Sequence, residues 1–296
     1  FITEMDTCDV FVKPLSDLIK PLGDWINTLD TRQHIPQFEV AAGDPGEGRS
    51  GVALIMRHVQ PLSDADQMRV TDFARQHRCD FYLQPAGPDS VKRMWPAEGE
   101  DRLHYTLPAF DLTLKFHPAD FVQINENINR QAVELAVKLL DLDAGDTVLD
   151  LFCGLGNFSL ARARKSRHVS AIEGAGELVL RASENATLNH ITNVDFHAAD
   201  LYNLTGRESW YTGRFDKVLL DPPRSGALEI LDWIAATGAR KIVYFPCKPA
   251  TLSPDTVHLI NSGFRLKRAG VMDMFPHTAH VESIAEFERV TTNNNG

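Results

Sequence analysis

Several short stretches of this chain combine residue types that could do chemistry. In Tyr244-Phe-Pro-Cys247-Lys248-Pro-Ala-Thr-Leu a cysteine ends an apolar run, with a lysine and a helical pattern directly behind it. A lone cysteine is commonly a buried structural thiol. Here the adjacent cation and the helix N-terminus both favour the thiolate, and the thiolate is the nucleophile. His277-Thr-Ala-His280-Val-Glu282-Ser sets a carboxylate beside two histidines. The spacing is not that of a zinc-binding helix, so Glu282 reads better as a general base. Asp221-Pro-Pro-Arg224 leaves the apolar run Phe215 to Leu220, and its prolines stiffen the turn that carries the aspartate. Asp150-Leu-Phe152-Cys-Gly154-Leu-Gly-Asn157-Phe is a glycine turn between an apolar run and a helical pattern. Such glycines let backbone approach a ligand closely, and the helix behind offers free N–H groups. Cys153 lies inside that turn, where packing alone explains a small side chain.

These residues need elements to position them. From Thr147 the chain alternates strand-like and helix-like segments, with strands at 147–152, 168–173, 194–198, 215–220 and 241–246 and helices at about 157–165, 177–189, 226–237 and 250–261. Sequential βα units predict a parallel sheet covered by helices on both faces. The last two strands, about 264–273 and 280–289, have no long helix between them and predict an antiparallel terminal pair. Ligands of such sheets sit beyond the C-terminal strand ends. Phe152, Gly154, Glu173, Asp200, Asp221 and Cys247 share that address. Glu173 stands about 20 residues after the glycine turn, where a ribose-binding carboxylate belongs.

Before this lies a small α+β module: a hairpin of 37–42 and 51–57 around the turn Gly43 to Gly48, a helix capped by Ser63 and running to His77, a strand from Asp80, a polar Pro/Gly-rich loop over 86–102 and two short strands within 103–116. A further helix, about 127–140, precedes the first strand of the parallel sheet. The boundary falls near 118–125, giving a central α+β module over 1–120 and a catalytic domain over 121–296.

Hydrophobic residues are 43% and charged residues 24% of the 296, as in an ordinary globular protein with a sizeable core. No apolar run reaches membrane-span length and no signal-peptide pattern is present, so a cytoplasmic protein without a membrane partner is expected. The chain starts at Phe1, which suggests a piece of a longer protein. The formal net charge of -10 argues against a nucleic-acid grip by bulk electrostatics. Two basic runs, Arg162/Arg164/Lys165/Arg167 and Arg265/Lys267/Arg268, read as solvated faces. The four cysteines, Cys8, Cys79, Cys153 and Cys247, follow no zinc spacing.

The glycine-turn stretch resembles the first motif of S-adenosylmethionine (SAM) methyltransferases. The fold it implies is an α/β, doubly wound, Rossmann-like sheet with an antiparallel terminal strand. Many nucleic-acid N-methyltransferases carry an aromatic residue after Asp-Pro-Pro, but here it is Arg224, which weakens an exocyclic-amine target. A cysteine nucleophile, a carboxylate base and a SAM site together suit transfer to carbon 5 of a pyrimidine. The series Phe121-Val-Gln123-Ile-Asn, Asp150 to Phe158, Phe215-Asp-Lys-Val-Leu-Leu-Asp-Pro-Pro-Arg224, Cys247-Lys-Pro-Ala-Thr-Leu and Asp273-Met-Phe-Pro-His-Thr-Ala-His-Val-Glu282-Ser resembles the uracil-C5 RNA methyltransferases over nearly the whole chain.

The resemblance implies Cys247 as nucleophile, Glu282 as base and Asp221 as the group that holds the uracil edge and borders SAM. It implies a SAM pocket lined by Gln123, Phe152, Gly154, Asn157, Glu173, Asp200 and Asp221, and a target base flipped out of folded RNA. Within the family the chain most resembles the type acting on 23S ribosomal RNA, whose members add an N-terminal RNA-binding barrel and an iron–sulfur cluster on four cysteines. Cys8 fits one cluster ligand, so a cluster is expected only in a longer protein, and a monomer is implied. Pro-Cys-Lys-Pro departs from the usual Ser-Cys-Asn-Pro, and Asp200 stands where relatives often have Asn.

Overall fold

The computed structural model describes residues 5–276, 278 and 281–290. The chain divides into two compact units. One runs to Thr106 and resumes over Lys115–Val122; the other takes Leu107–Leu114 and everything from Gln123 onward.

The first unit opens with helices α1 (Lys13–Ser16) and α2 (Ile19–Ile26). Strands β1 (Gln37–Ala42) and β2 (Val52–Arg57) pair antiparallel, as the hairpin pattern predicts. Helix α3 (Asp64–His77) crosses to β3 (Asp80–Gln84), which lies parallel to β2. Ser63 caps α3 by accepting from the Asp66 N–H at 3.1 Å. The sequence reading made 86–102 a loop, but β4 (Lys92–Trp95) forms there and completes the sheet order β1-β2-β3-β4. Its four residues carry no apolar alternation, so its register comes from antiparallel pairing with β3. The core of this unit gathers Leu29, Leu54, Met56, Val70, Phe73 and Phe81. Strands β5 (Leu103–Leu107) and β6 (Leu112–Phe116) form a separate two-stranded sheet.

Helix α4 (Glu126–Leu140) opens the main part of the second unit. Asn125 caps it by accepting from the Ile128 N–H, and Asn129, Ala132, Val133, Ala136, Leu139 and Leu140 form its buried face at helical spacing. The elements that follow are β7 (Thr147–Leu151), α5 (Asn157–Ala163), β8 (His168–Glu173), α6 (Gly176–Leu188), β9 (Val194–Ala198), β10 (Lys217–Leu220), α7 (Leu231–Ala236), β11 (Lys241–Tyr244), α8 (Pro249–Asn261), β12 (Phe264–Met272) and β13 (Glu282–Arg289). The seven-stranded sheet runs in the order β12-β13-β11-β10-β7-β8-β9. All neighbours are parallel except β13, which is antiparallel to both β11 and β12. The α/β fold and its antiparallel terminal pair match the expectation.

The sheet's central strands are apolar on both faces because helices cover both. Val148, Leu149, Val218, Leu219, Leu220, Ile242 and Val243 are all fully buried. The tip of the β5–β6 hairpin is fastened within this unit: the Thr113 N–H donates to Asn189 Oδ1 at 2.8 Å, and Asn189 Nδ2 returns a bond to the Thr113 carbonyl at 2.7 Å. Arg164 adds donors to the carbonyls of Asp111 and Asn189, both at 3.1 Å. The first basic run is therefore not one solvated face, since Arg162 is wholly buried and Arg164 is tied into this corner. In the second run, Arg265, Lys267 and Arg268 line the edge strand β12 and pair with Glu286 and Glu288 of β13.

Candidate active site

The site is built where strand ends meet. β7, β10 and β11 lie side by side and end together at Phe152, Asp221 and the segment leading to Cys247. The ladder continues past the strands: the Asp221 N–H donates to the Leu151 carbonyl at 3.3 Å and the Phe245 N–H to the Leu220 carbonyl at 2.8 Å. Because β13 runs the other way, its first residue, Glu282, arrives at the same edge. The Ser283 N–H donates to the Pro246 carbonyl at 3.3 Å, which sets Glu282 and Cys247 next to one another along paired backbone. Residues far apart in sequence thus meet through topology alone.

The electrostatics follow from that meeting. Burial pushes the Cys247 thiol up, and the Glu282 and Asp221 carboxylates push it further the same way, while the Arg224 guanidinium opposes them. Burial likewise raises Asp221 well above the carboxylate range, with Glu282 and Asp150 adding to the rise and Arg162 opposing it. Glu282 is raised by burial. The three residues singled out for chemistry therefore sit in one another's fields.

The sequence reading gave Lys248 the role of favouring the thiolate. Lys248 is exposed at the N-cap of α8, and Arg224, exposed on its own turn, is a second cation whose charge favours the Cys247 thiolate. In the sequence Arg224 stands out only by replacing an aromatic. The turn in which it sits is closed by the Gly226 N–H bonding to the Pro223 carbonyl at 3.0 Å, which puts Arg224 and Ser225 at its corner.

The glycine turn forms the other half. Phe152 has φ 63°, a left-handed conformation uncommon outside glycine, and Gly154 and Gly156 follow at φ 55° and 94°. No atom lies within 4 Å of where a Cβ on Gly154 would stand, so the turn borders open space. Glu173, at the end of β8, accepts from the Gly154 N–H through one oxygen and from the Ala175 N–H through the other, each at 3.0 Å. Its carboxylate is thereby fixed, with lone pairs left for hydroxyl donors. Asn157, the first residue of α5, exchanges amide bonds of 3.1 and 2.8 Å with Asn129 and so ties α5 to α4. Gln123 is half-buried two residues before the Asn125 cap. Asp200 is exposed beyond β9, accepting from the Tyr202 N–H at 2.9 Å and from Asn203 Nδ2 at 2.6 Å.

Arg162 was missed as part of this region. Its guanidinium has no exposure, pairs with Asp150 at 3.1 Å and lies over the Phe158 ring with its centre 5.4 Å away. Ser159 Oγ donates to the other Asp150 oxygen. Helical spacing was the available signal: Arg162 follows Phe158 by one turn and so shares its inward face. His277 and His280 lie outside the described residues. Cys8 belongs to the first unit, where its N–H donates to Ser16 Oγ at 2.9 Å. Among the described residues no group of three or more His, Cys, Asp or Glu is placed to hold a metal ion.

A family model described as tRNA (Uracil-5-)-methyltransferase matches residues 98–290. The chain belongs to this family. Among curated relatives, the 23S rRNA (uracil(1939)-C(5))-methyltransferase RlmD of Alcanivorax borkumensis is 47% identical over 290 residues, which is 98% of this chain and 64% of that protein. The RlmD of Hahella chejuensis is 46% identical over 294 residues, 98% of this chain and 65% of that one. The chain thus spans just under two thirds of the length of these relatives. The crystal structure of Pyrococcus abyssi tRNA (uracil-54, C5)-methyltransferase in complex with S-adenosyl-L-homocysteine superposes with a TM-score of 0.71 at 23% identity, covering 97% of this chain and 70% of that one, a likeness of fold.

Proposed function

We propose that this chain is the catalytic portion of an enzyme that methylates carbon 5 of a uridine in 23S ribosomal RNA, with SAM as methyl donor. The observation that carries the reading is the convergence of Cys247, Glu282 and Asp221 on one sheet edge, next to the open glycine turn. Family membership and the similarity to RlmD relatives support the substrate class.

The residues fit the cofactor. The turn at Gly154 borders open space with no side chain of its own to intrude on a ligand. Glu173 presents a fixed carboxylate suited to a pair of ribose hydroxyls, and Phe152, Asn157, Asp200 and Gln123 complete the lining. Bound SAM supplies a methyl group on a cationic sulfur that leaves as a neutral thioether.

The chain's residues do the rest. Carbon 5 of uracil is a weak nucleophile. The Cys247 thiolate adds at carbon 6, forming the S–C6 bond and moving the C5=C6 electron pair onto the ring as an enolate. Carbon 5 then takes the methyl group. The Glu282 carboxylate removes the remaining carbon 5 proton, the C5=C6 bond re-forms, the S–C6 bond breaks and the thiolate is restored. Asp221, held beside Glu282, faces the polar edge of the ring, where charge develops. A base inside a duplex cannot reach such a pocket, so the target uridine is flipped out of folded RNA.

The test is a covalent trap. The chain is incubated with SAM and a 5-fluorouridine RNA covering candidate 23S sites, and intact mass is read. Fluorine cannot leave as a proton, so a methylated adduct should accumulate and should vanish in Cys247→Ala. Methyl transfer that persists in Cys247→Ala would refute the addition mechanism.

A further inference from the structure

Between the cofactor side of the site and the nucleophile side stands Tyr202, which the reaction above does not use. Its backbone N–H is held by Asp200 at 2.9 Å. Its ring lies against Phe152, centroids 5.8 Å apart. Its hydroxyl is 2.7 Å from Ser225 Oγ and 3.0 Å from the Gly226 carbonyl. One hydroxyl has one proton, so Tyr202 donates to the Gly226 carbonyl and Ser225 donates to Tyr202. Both partners belong to the Pro223–Gly226 turn that carries Arg224.

The contacts continue from that turn to the nucleophile. Gly226 has φ 84°, and a Cβ there would stand 3.3 Å from Asp255 Oδ2 and 3.4 Å from Thr251 Cβ. The turn is therefore seated on α8. Asp255 is buried and accepts from the Tyr244 hydroxyl at the end of β11. Thr251 Oγ1 donates to the Lys248 carbonyl at 2.8 Å, one residue from Cys247.

We propose that Tyr202 is a positioning residue: it joins the turn that carries Asp200 to the turn that carries Arg224, so that filling the cofactor end of the site sets the reactivity of Cys247. The inference rests on reading Cys247 as the nucleophile and the glycine-turn edge as the cofactor's seat. It adds that the two halves communicate through one hydroxyl. With the cofactor in place, the Asp200 turn is fixed, Tyr202 holds Ser225 and Gly226, and Arg224 stays by the thiol. The two bonds of the Tyr202 hydroxyl are what carry occupancy of the Asp200 turn to the Arg224 turn.

The experiment uses the chain as it stands. Cys247 is alkylated with iodoacetamide at fixed pH, with and without saturating S-adenosylhomocysteine, and the rate is read by peptide mass spectrometry. In the wild type the probe should raise the Cys247 rate about fivefold, the lower end of ordinary coupling between sites. Tyr202→Phe keeps the ring and removes the hydroxyl. It should bind the probe with nearly wild-type affinity by calorimetry yet lose the acceleration. Ser225→Ala should behave alike, and Ser225→Thr, which retains a hydroxyl, should keep the response. A role in folding alone would lower the melting temperature without separating affinity from acceleration. Acceleration retained in both Tyr202→Phe and Ser225→Ala, or a wild-type rate that does not rise although the probe binds, would overturn the proposal. Absence of probe binding to the wild type would be a different result, bringing down the cofactor reading and this inference with it.

Discussion

Cys247 is a thiol whose surroundings resist its ionisation, with burial and two carboxylates on one side of the balance and Arg224 on the other. Replacing Arg224 by alanine removes the charge that favours thiolate, so the thiol pKa should rise further. The midpoint of the pH dependence of Cys247 alkylation should move to higher pH in Arg224→Ala, and a midpoint that stays put or falls would contradict the assignment. Glu282 must be ionised to act as base, and burial raises its pKa. Methyl transfer should therefore fall as pH drops through a value above the usual carboxylate range. Glu282→Gln should add to RNA but fail to release it, giving an adduct with ordinary uridine RNA that is visible by denaturing gel. Cys247, Glu282 and Asp221, the residues proposed as nucleophile, base and ring partner, each lie in a stretch that stands out in the sequence, and topology brings those stretches to one sheet edge. Arg224 was not legible as the thiol's cation, since only a folded turn brings a residue after Pro-Pro to a residue after another strand.

Helix α5 shows what sequence patterns hide at the scale of an element. Its outward signature, Arg162-Ala-Arg164-Lys165, reads as solvated, yet Arg162 is buried against Asp150. Removing one partner of a buried pair leaves the other uncompensated, at a cost of about 3–5 kcal/mol, whereas replacing both can be nearly neutral. Asp150→Asn and Arg162→Met should each lower the urea midpoint substantially, and the double variant should recover much of the loss. Strict additivity in that cycle would mean the pair is not coupled. Elements with strong internal signals were read correctly: the Ser63 cap, the apolar strands of the parallel sheet and the glycine turn between β7 and α5. The short strand β4 escaped because its pairing, rather than its own residues, makes it a strand.

At the scale of the whole molecule, the chain's two units are not cut at a single point, since Leu107–Leu114 belongs with the second. Leu112 and Leu114 are buried, and Thr113 exchanges bonds with Asn189. A fragment of 123–296 should be less stable than one of 107–296 by about 1–3 kcal/mol, for the two lost hydrogen bonds alone. Equal denaturation midpoints would show that the hairpin tip contributes nothing. The sheet order β12-β13-β11 also has a consequence for how the proposed site is assembled during synthesis. Cys247 and the glycine turn leave the ribosome before Glu282 does. A half-made chain that could add to a uridine but not let go would become a dead-end crosslink on RNA. Because β13 slots between β11 and β12, and Ser283 pairs with the residue beside Cys247, the nucleophile's own strand has an unpaired edge until the base arrives. On the proposed roles, β13 both closes that edge and delivers Glu282, so the means of release arrives with the strand that completes the sheet beside Cys247.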